Sequence, residues 1–250
     1  MTVLKLGNGD DTFNPFQPVL LPGWTANSVV YGGNGDDSIL ATVTPGVVVY
    51  GGNGDDTVAI GGFRGGGGKA YGGNSDDTLS VEGFPGHVLD GGRGDDVLIS
   101  ASGPIGGGLP TAQGACMTGG QGHDTFVLDS RTEVFVFSDP DGTLSEGDPV
   151  RGIIDVIVDH RAGEPIDLPG TPVPSPVGTA GFTVGPNYLT TAAGEYGIVR
   201  GDLTEPGVFT VAADGDDLLL VYQRLDETDP GVDGAVAILG AAQSGASPIV

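Results

Sequence analysis

The chain has one cysteine, Cys116, which excludes an internal disulfide framework and leaves that residue to serve as a small buried hydrophobe. Basic residues are scarce: 9 lysines and arginines face 33 aspartates and glutamates, for a net charge of −24. Nucleic acid is thereby excluded as a partner, since a polyanion needs a basic surface. Aromatic residues make up only 6%, too few for a large conventional core. The three histidines, His87, His123 and His160, are isolated. None has a second histidine four places on, so the H-E-x-x-H zinc helix is absent, as is G-x-S-x-G. No apolar run approaches the roughly 18 residues a membrane helix needs. Met1–Gly7 has no apolar signal-peptide core. The reading is a soluble, non-catalytic chain that leaves the cell, if exported, by a route needing no N-terminal signal.

Glycine is what the chain has: 48 of its 250 residues. Much of it falls in one recurring stretch. Gly32-Gly33-Asn34-Gly35-Asp36-Asp37-Ser38-Ile39 returns from Gly51 to Val58, from Gly72 to Leu79, from Gly91 to Leu98 and from Gly119 to Phe126. An opening copy, Leu6 to Phe13, lacks the first glycine. The pattern is G-G-x-G-x-D-x-U, with U large and apolar. Its sixth position is always aspartate: Asp11, Asp37, Asp56, Asp77, Asp96 and Asp124. The fifth is aspartate except for His123 in the last copy, and is read as solvent-facing.

Such loops suit a hard cation. Glycine lets the backbone turn tightly and aim its carbonyls one way. Calcium takes about six to eight oxygens; one loop's carbonyls and aspartate supply about half, and the stacked neighbour the rest. The metal-ligand candidates are the six aspartates and the loop glycines Gly33, Gly35, Gly52, Gly54, Gly73, Gly92 and Gly94. Ser75 in place of a glycine, and Arg93 beside Asp95 and Asp96, predict weaker binding in those two loops.

The apolar residue after each loop carries the architecture. Phe13, Ile39, Val58, Leu79, Leu98 and Phe126 open short strands with alternating apolar positions. A second strand before each loop points Val30, Val49, Ala70, Leu89 and Met117 inward. The aspartates recur at intervals of 19, 21, 19 and 28 residues. Strands this short cannot pack alone; stacked turn on turn they form a parallel β-solenoid with one thin core. The half-turns opposite the loops (Val43–Gly46, Gly61–Gly68, Glu82–Gly86 and Ser102–Gln113) carry almost no aspartate, which predicts cations along one edge only. Trp24, in a proline-rich excursion, is expected to cover the first turn.

Beyond Phe126 the expected strands are Glu133–Phe137, Ile153–Val158, Gly181–Val184, Val208–Ala212, Leu218–Gln223 and Ala235–Leu239. Gly194–Arg200 is ambiguous, and Pro165–Pro176 is too proline-rich for a central strand. The fold class is therefore all-β: a β-roll over residues 1–130 and a β-rich cap and secretion region over 131–250.

The six loops resemble the nonapeptides of the repeat-in-toxin (RTX) proteins. The sequence after them is similar to the C-terminal region of secreted members of the serralysin type. Asp124-Thr125-Phe126-Val127-Leu128 looks like the exit of the last repeat, and Asp155–His160 with Gly163 and Ile166-Asp167-Leu168 like the strand pair that follows. Ala193–Glu195 through Asp217–Val221 and Ala235–Leu239 are similar to the closing hairpin. The resemblance implies a calcium-stabilised β-roll, extracellular, exported by type I secretion machinery through an uncleaved C-terminal signal. Asp226, Asp229 and Asp233 occupy that hairpin's calcium loop without EF-hand spacing. The alternative function is a carbohydrate-binding or adhesive module of a secreted polysaccharide- or protein-processing system, docking on a polysaccharide or cell surface. Against it, Trp24, Phe63 and Phe84 form no row of stacking platforms. A monomer is expected.

Overall fold

The computed structural model describes residues 2–14, 27–41, 46–62, 67–83, 85–102, 112–129, 134–136, 144–169, 173–174, 183–184, 189–190, 195–223 and 234–243. Trp24, Phe63, Phe84, the Asp226–Asp233 loop and most of the half-turns opposite the glycine loops lie outside them. Two compact units emerge, one of residues 1–105 and 115–127, the other of 106–114 and 128–250. The protein is all-β, and its described residues hold no α-helix. Among the described residues no helix is long and apolar enough to cross a membrane.

In the first unit strands come in pairs, one on each side of a glycine loop: β1 (Val3–Asn8) and β2 (Thr12–Phe13), β3 (Val29–Asn34) and β4 (Ser38–Ala41), β5 (Val48–Asn53) and β6 (Thr57–Gly62), β7 (Lys69–Asn74) and β8 (Thr78–Gly83), β9 (Val88–Arg93) and β10 (Val97–Ser102), β11 (Ala112–Gln121) and β12 (Thr125–Leu128). The odd-numbered strands form one parallel ladder and the even-numbered strands a second. Register is strict: Val30 pairs with Val49, Val49 with Ala70, Ala70 with Leu89 and Leu89 with Met117. These five side chains are buried. So are Phe13, Ile39, Val58, Leu79, Leu98 and Phe126, entering the same core from the other ladder. A period of two on both ladders thus yields a solenoid with a single line of apolar contact.

The outward residues carry a feature that the sequence reading missed. Tyr31, Tyr50 and Tyr71 occupy one register position and stack at centroid distances of 5.0 and 4.9 Å, 7° and 10° from parallel. Lys5 Nζ stands 5.7 Å above the Tyr31 ring. The aromatic residues weighed from the sequence, Trp24, Phe63 and Phe84, lie outside the described residues; each of these tyrosines directly precedes the loop's first glycine, so the loop period aligns them. The expectation for Cys116 is corrected. It pairs with Val88 on the outer side of β11 and is half-buried rather than buried.

The second unit holds β13 (Val134–Val136), β14 (Pro149–Ile157), β15 (Ile166–Asp167), β16 (Val173–Pro174), β17 (Thr183–Val184), β18 (Leu189–Thr190), β19 (Glu195–Glu205), β20 (Val208–Val211), β21 (Asp217–Tyr222) and β22 (Gly234–Ile238). Strands β14, β20, β19, β21 and β22 pair in that order, and β14 also pairs with β22. The sheet therefore closes on itself through the two halves of β14. Val150, Ile154, Val199, Phe209, Leu219, Val221, Ala235 and Ala237 fill it. Of the ambiguous Gly194–Arg200 segment, residues 195–200 lie in β19, the longest strand among the described residues, where Tyr196–Arg200 pair with β21.

Candidate metal centre

The glycine loops stack in the same register as their strands, and each loop position becomes a column. Asparagines of the third position form a side-chain ladder: Asn34 Nδ2 donates to Asn8 Oδ1 at 2.6 Å, Asn53 to Asn34 at 2.7 Å and Asn74 to Asn53 at 2.7 Å. The column passes to Arg93 in the fourth full loop, where the amide ladder stops.

The two aspartate columns run in opposite directions. At the fifth position the later loop donates: the Asp36 N–H to Asp10 Oδ1 at 3.0 Å, Asp55 to Asp36 at 2.9 Å, Asp95 to Asp76 at 2.8 Å and His123 to Asp95 at 2.8 Å. These side chains are exposed, as the sequence suggested. They also have a role that it did not suggest. His123 only donates its backbone N–H, with no later loop to receive, and so the last copy can dispense with aspartate there.

At the sixth position the earlier loop donates. The Asp11 N–H reaches Asp37 Oδ1, Asp37 reaches Asp56, Asp56 reaches Asp77 and Asp77 reaches Asp96, each at 2.8 Å. The Asp96 N–H reaches Asp124 Oδ1 at 3.1 Å. Asp37, Asp56, Asp77, Asp96 and Asp124 are buried, and Asp11 at the end of the column is half-buried. One oxygen of each buried carboxylate is thus spent on the ladder. The other, Oδ2 of Asp37, Asp56, Asp77 and Asp96, is buried without a hydrogen-bond partner.

Burial and repulsion act on these groups together. Desolvation, the larger cause, pushes the Asp77 carboxyl up to about 8 and those of Asp56 and Asp96 to about 6, with neighbouring aspartates adding to the rise. Asp37 is raised by the same causes. Parallel strands lie roughly 4.8 Å apart, so four carboxylates with unpartnered oxygens at that spacing form a column that is costly to ionise without a counter-charge. Among the described residues no three His, Cys, Asp or Glu side chains converge on one point. Any cation held in the column would therefore have to take most of its oxygens from the backbone.

The structure locates one set of those carbonyls. A Cβ added at Gly32 would overlap both Asp37 Oδ2 and the Gly51 carbonyl oxygen; at Gly51 it would meet Asp56 Oδ2 and the Gly72 oxygen, and at Gly72 Asp77 Oδ2 and the Gly91 oxygen. First-position glycines are needed for this close approach, and their carbonyls gather beside the open carboxylate oxygens. The glycines named from the sequence are those of the second and fourth positions. Gly33, Gly52, Gly73 and Gly92 form their own column in register. Gly35, Gly54 and Gly94 donate their N–H groups to the third-residue carbonyl of the next loop. The opening copy has Leu6 at the first position.

Ser75 is the fourth-position residue of its loop and has φ of 81°, a region that L side chains occupy at a cost. Ser75→Gly is expected to stabilise the roll by about 1 kcal/mol net of the added chain entropy, read as a higher urea midpoint. An unchanged or lower midpoint contradicts strain at this position.

Of the remaining site residues, His87 is buried on the inner side of its turn and its Nδ1 accepts the Gly68 N–H at 2.9 Å. It is structural in the turn rather than a member of the aspartate column. Neither a scan against protein-family models nor a search of curated proteins gives a match.

Proposed function

We propose that the first unit is a calcium-binding β-roll of the RTX type, secreted, non-catalytic, and ordered by the calcium it meets outside the cell. One observation carries the proposal: the buried column of carboxylates, each with one oxygen tied to a neighbouring loop and the other, in four consecutive loops, left open, the first three of them close to a glycine carbonyl. Asp37, Asp56, Asp77 and Asp96 would hold the cations, with Asp124 closing the column. Calcium suits this donor set because it accepts all-oxygen, irregular coordination. When bound it supplies positive charge where the fold has concentrated negative charge. A ligand that binds only the folded state stabilises it by mass action, which suits a chain slack in the cytosol, passed through a type I channel and rigid outside.

Polysaccharide binding finds less support. The tyrosine column offers an aromatic row, but its rings are stacked face to face and Lys5 stands over Tyr31, so the row presents no continuous line of open ring faces to a sugar.

Circular dichroism in EGTA and in millimolar calcium tests the reading. The β signal of the first unit is expected to collapse in chelator and return with calcium, with bound calcium detected by native mass spectrometry. Full order in EGTA with no bound metal would defeat it.

A further inference from the structure

The turn between β20 and β21 is a seventh copy of the repeat, outside the period of the other six. Ala212-Ala213-Asp214-Gly215-Asp216-Asp217-Leu218-Leu219 keeps the fourth-position glycine, both aspartates and the apolar eighth position, and has alanine for the first two glycines. Its fifth-position amide is bonded as in the stack, the Asp216 N–H donating to Asp202 Oδ1 at 2.9 Å. Its sixth-position carboxylate is not. Asp217 Oδ2 accepts the Leu203 N–H at 2.9 Å and Oδ1 the Gly240 N–H at 2.9 Å. Both oxygens are satisfied by backbone, where Asp37, Asp56, Asp77 and Asp96 of the first unit each have one open.

A second difference lies beside it. Arg200 Nε donates to the Gly215 carbonyl at 2.7 Å, placing a guanidinium on an oxygen of this loop. The backbone closes the same connection from the other side, the Ala212 N–H donating to the Arg200 carbonyl at 3.1 Å. Arginine is permanently charged and its planar head binds carbonyl and carboxylate oxygens by charge-assisted hydrogen bonds.

We propose that Arg200 supplies to this loop the positive charge that a divalent cation supplies to the others, so that the second unit keeps its fold without calcium. The comparison with the other loops rests on the calcium reading of the first unit, whereas the role of Arg200 is tested on contacts within the second alone.

Residue-resolved hydrogen exchange on the full chain tests it, in EGTA and in millimolar calcium. In the wild type the Leu203, Asp216 and Gly240 amides are expected to be equally protected in both media. Arg200→Gln is expected to lower their protection at least about tenfold in both, while Gly152 and Val211, bonded elsewhere in the unit, hold theirs. Wild-type protection that requires calcium overturns the proposal, as does an Arg200→Gln chain as protected as the wild type. Should Arg200→Gln unfold the whole unit, Arg200→Lys decides: partial recovery of the three amides supports a cationic role and no recovery refutes it. The Asp37, Asp56 and Asp77 amides, read in the same experiment, report separately on calcium in the first unit.

Discussion

Asp77→Ala is expected to raise the calcium concentration that folds the first unit by about tenfold or more, and Asp11→Ala by less than about twofold. Both positions carry the same motif, so the difference comes from place in the column. Asp77 accepts the buried Asp56 N–H at 2.8 Å and presents an unpartnered oxygen. Its removal strands a buried donor and deletes a cation ligand. A hydrogen bond to a charged group is worth roughly 1.5–3 kcal/mol, already about tenfold or more in an equilibrium constant. Asp11 is half-buried and gives its N–H to Asp37, and among the described residues no amide donates to its own carboxylate. Calcium titrations followed by circular dichroism measure both midpoints. Equal shifts at the two positions would contradict a column of mutually dependent loops.

The second large effect concerns pH, and its sign depends on whether metal is present. The carboxyls of Asp56, Asp77 and Asp96 are raised in the folded chain, to about 6, 8 and 6, from an ordinary value of 3.8. The folded state therefore binds protons that the unfolded state has released. That contribution is complete below the ordinary carboxylate range and is lost as pH rises through 6 and then 8. Metal-free protein is thus expected to be more ordered near pH 5 than near pH 9. With calcium the trend reverses, because protons and metal compete for the same oxygens. Apparent affinity should fall as pH is lowered through 8 and 6, by about tenfold per pH unit for each carboxylate that must release its proton. Dialysed protein scanned by circular dichroism across this range, with and without calcium, checks both limbs. Metal-free order that increases toward pH 9 would remove the argument from desolvation.

Much of the roll was legible because its signals are local and repeated. The aspartate and the apolar residue two places on recur in phase, which fixed the strands, their buried faces and the sixth-position column. What was missed depends on pairing between turns. Nothing within one loop says that the two aspartate ladders run in opposite directions, or that the first glycine's carbonyl meets its neighbour's carboxylate. The tyrosine row was readable from Tyr31, Tyr50 and Tyr71, each preceding a glycine pair, but isolated Phe63 and Phe84 were weighed in its place. In the second unit β19 was ambiguous because Gly197 and Gly201 dilute its alternation. Gly201 is required by context: a Cβ there would overlap the Thr210 carbonyl of β20 and crowd the Phe209 ring. The seventh loop escaped notice because alanines stand where the repeat has its leading glycines.

The stacked tyrosines give the molecule a built-in optical gauge. Three parallel phenol rings about 5 Å apart couple their electronic transitions, and such coupling produces a near-ultraviolet dichroic band that separated rings lack. That band reports whether adjacent coils are in register and so follows assembly of the first unit without a label. Tyr196 and Tyr222, in the other unit, lie outside the stack, so the two halves can be watched separately in one sample.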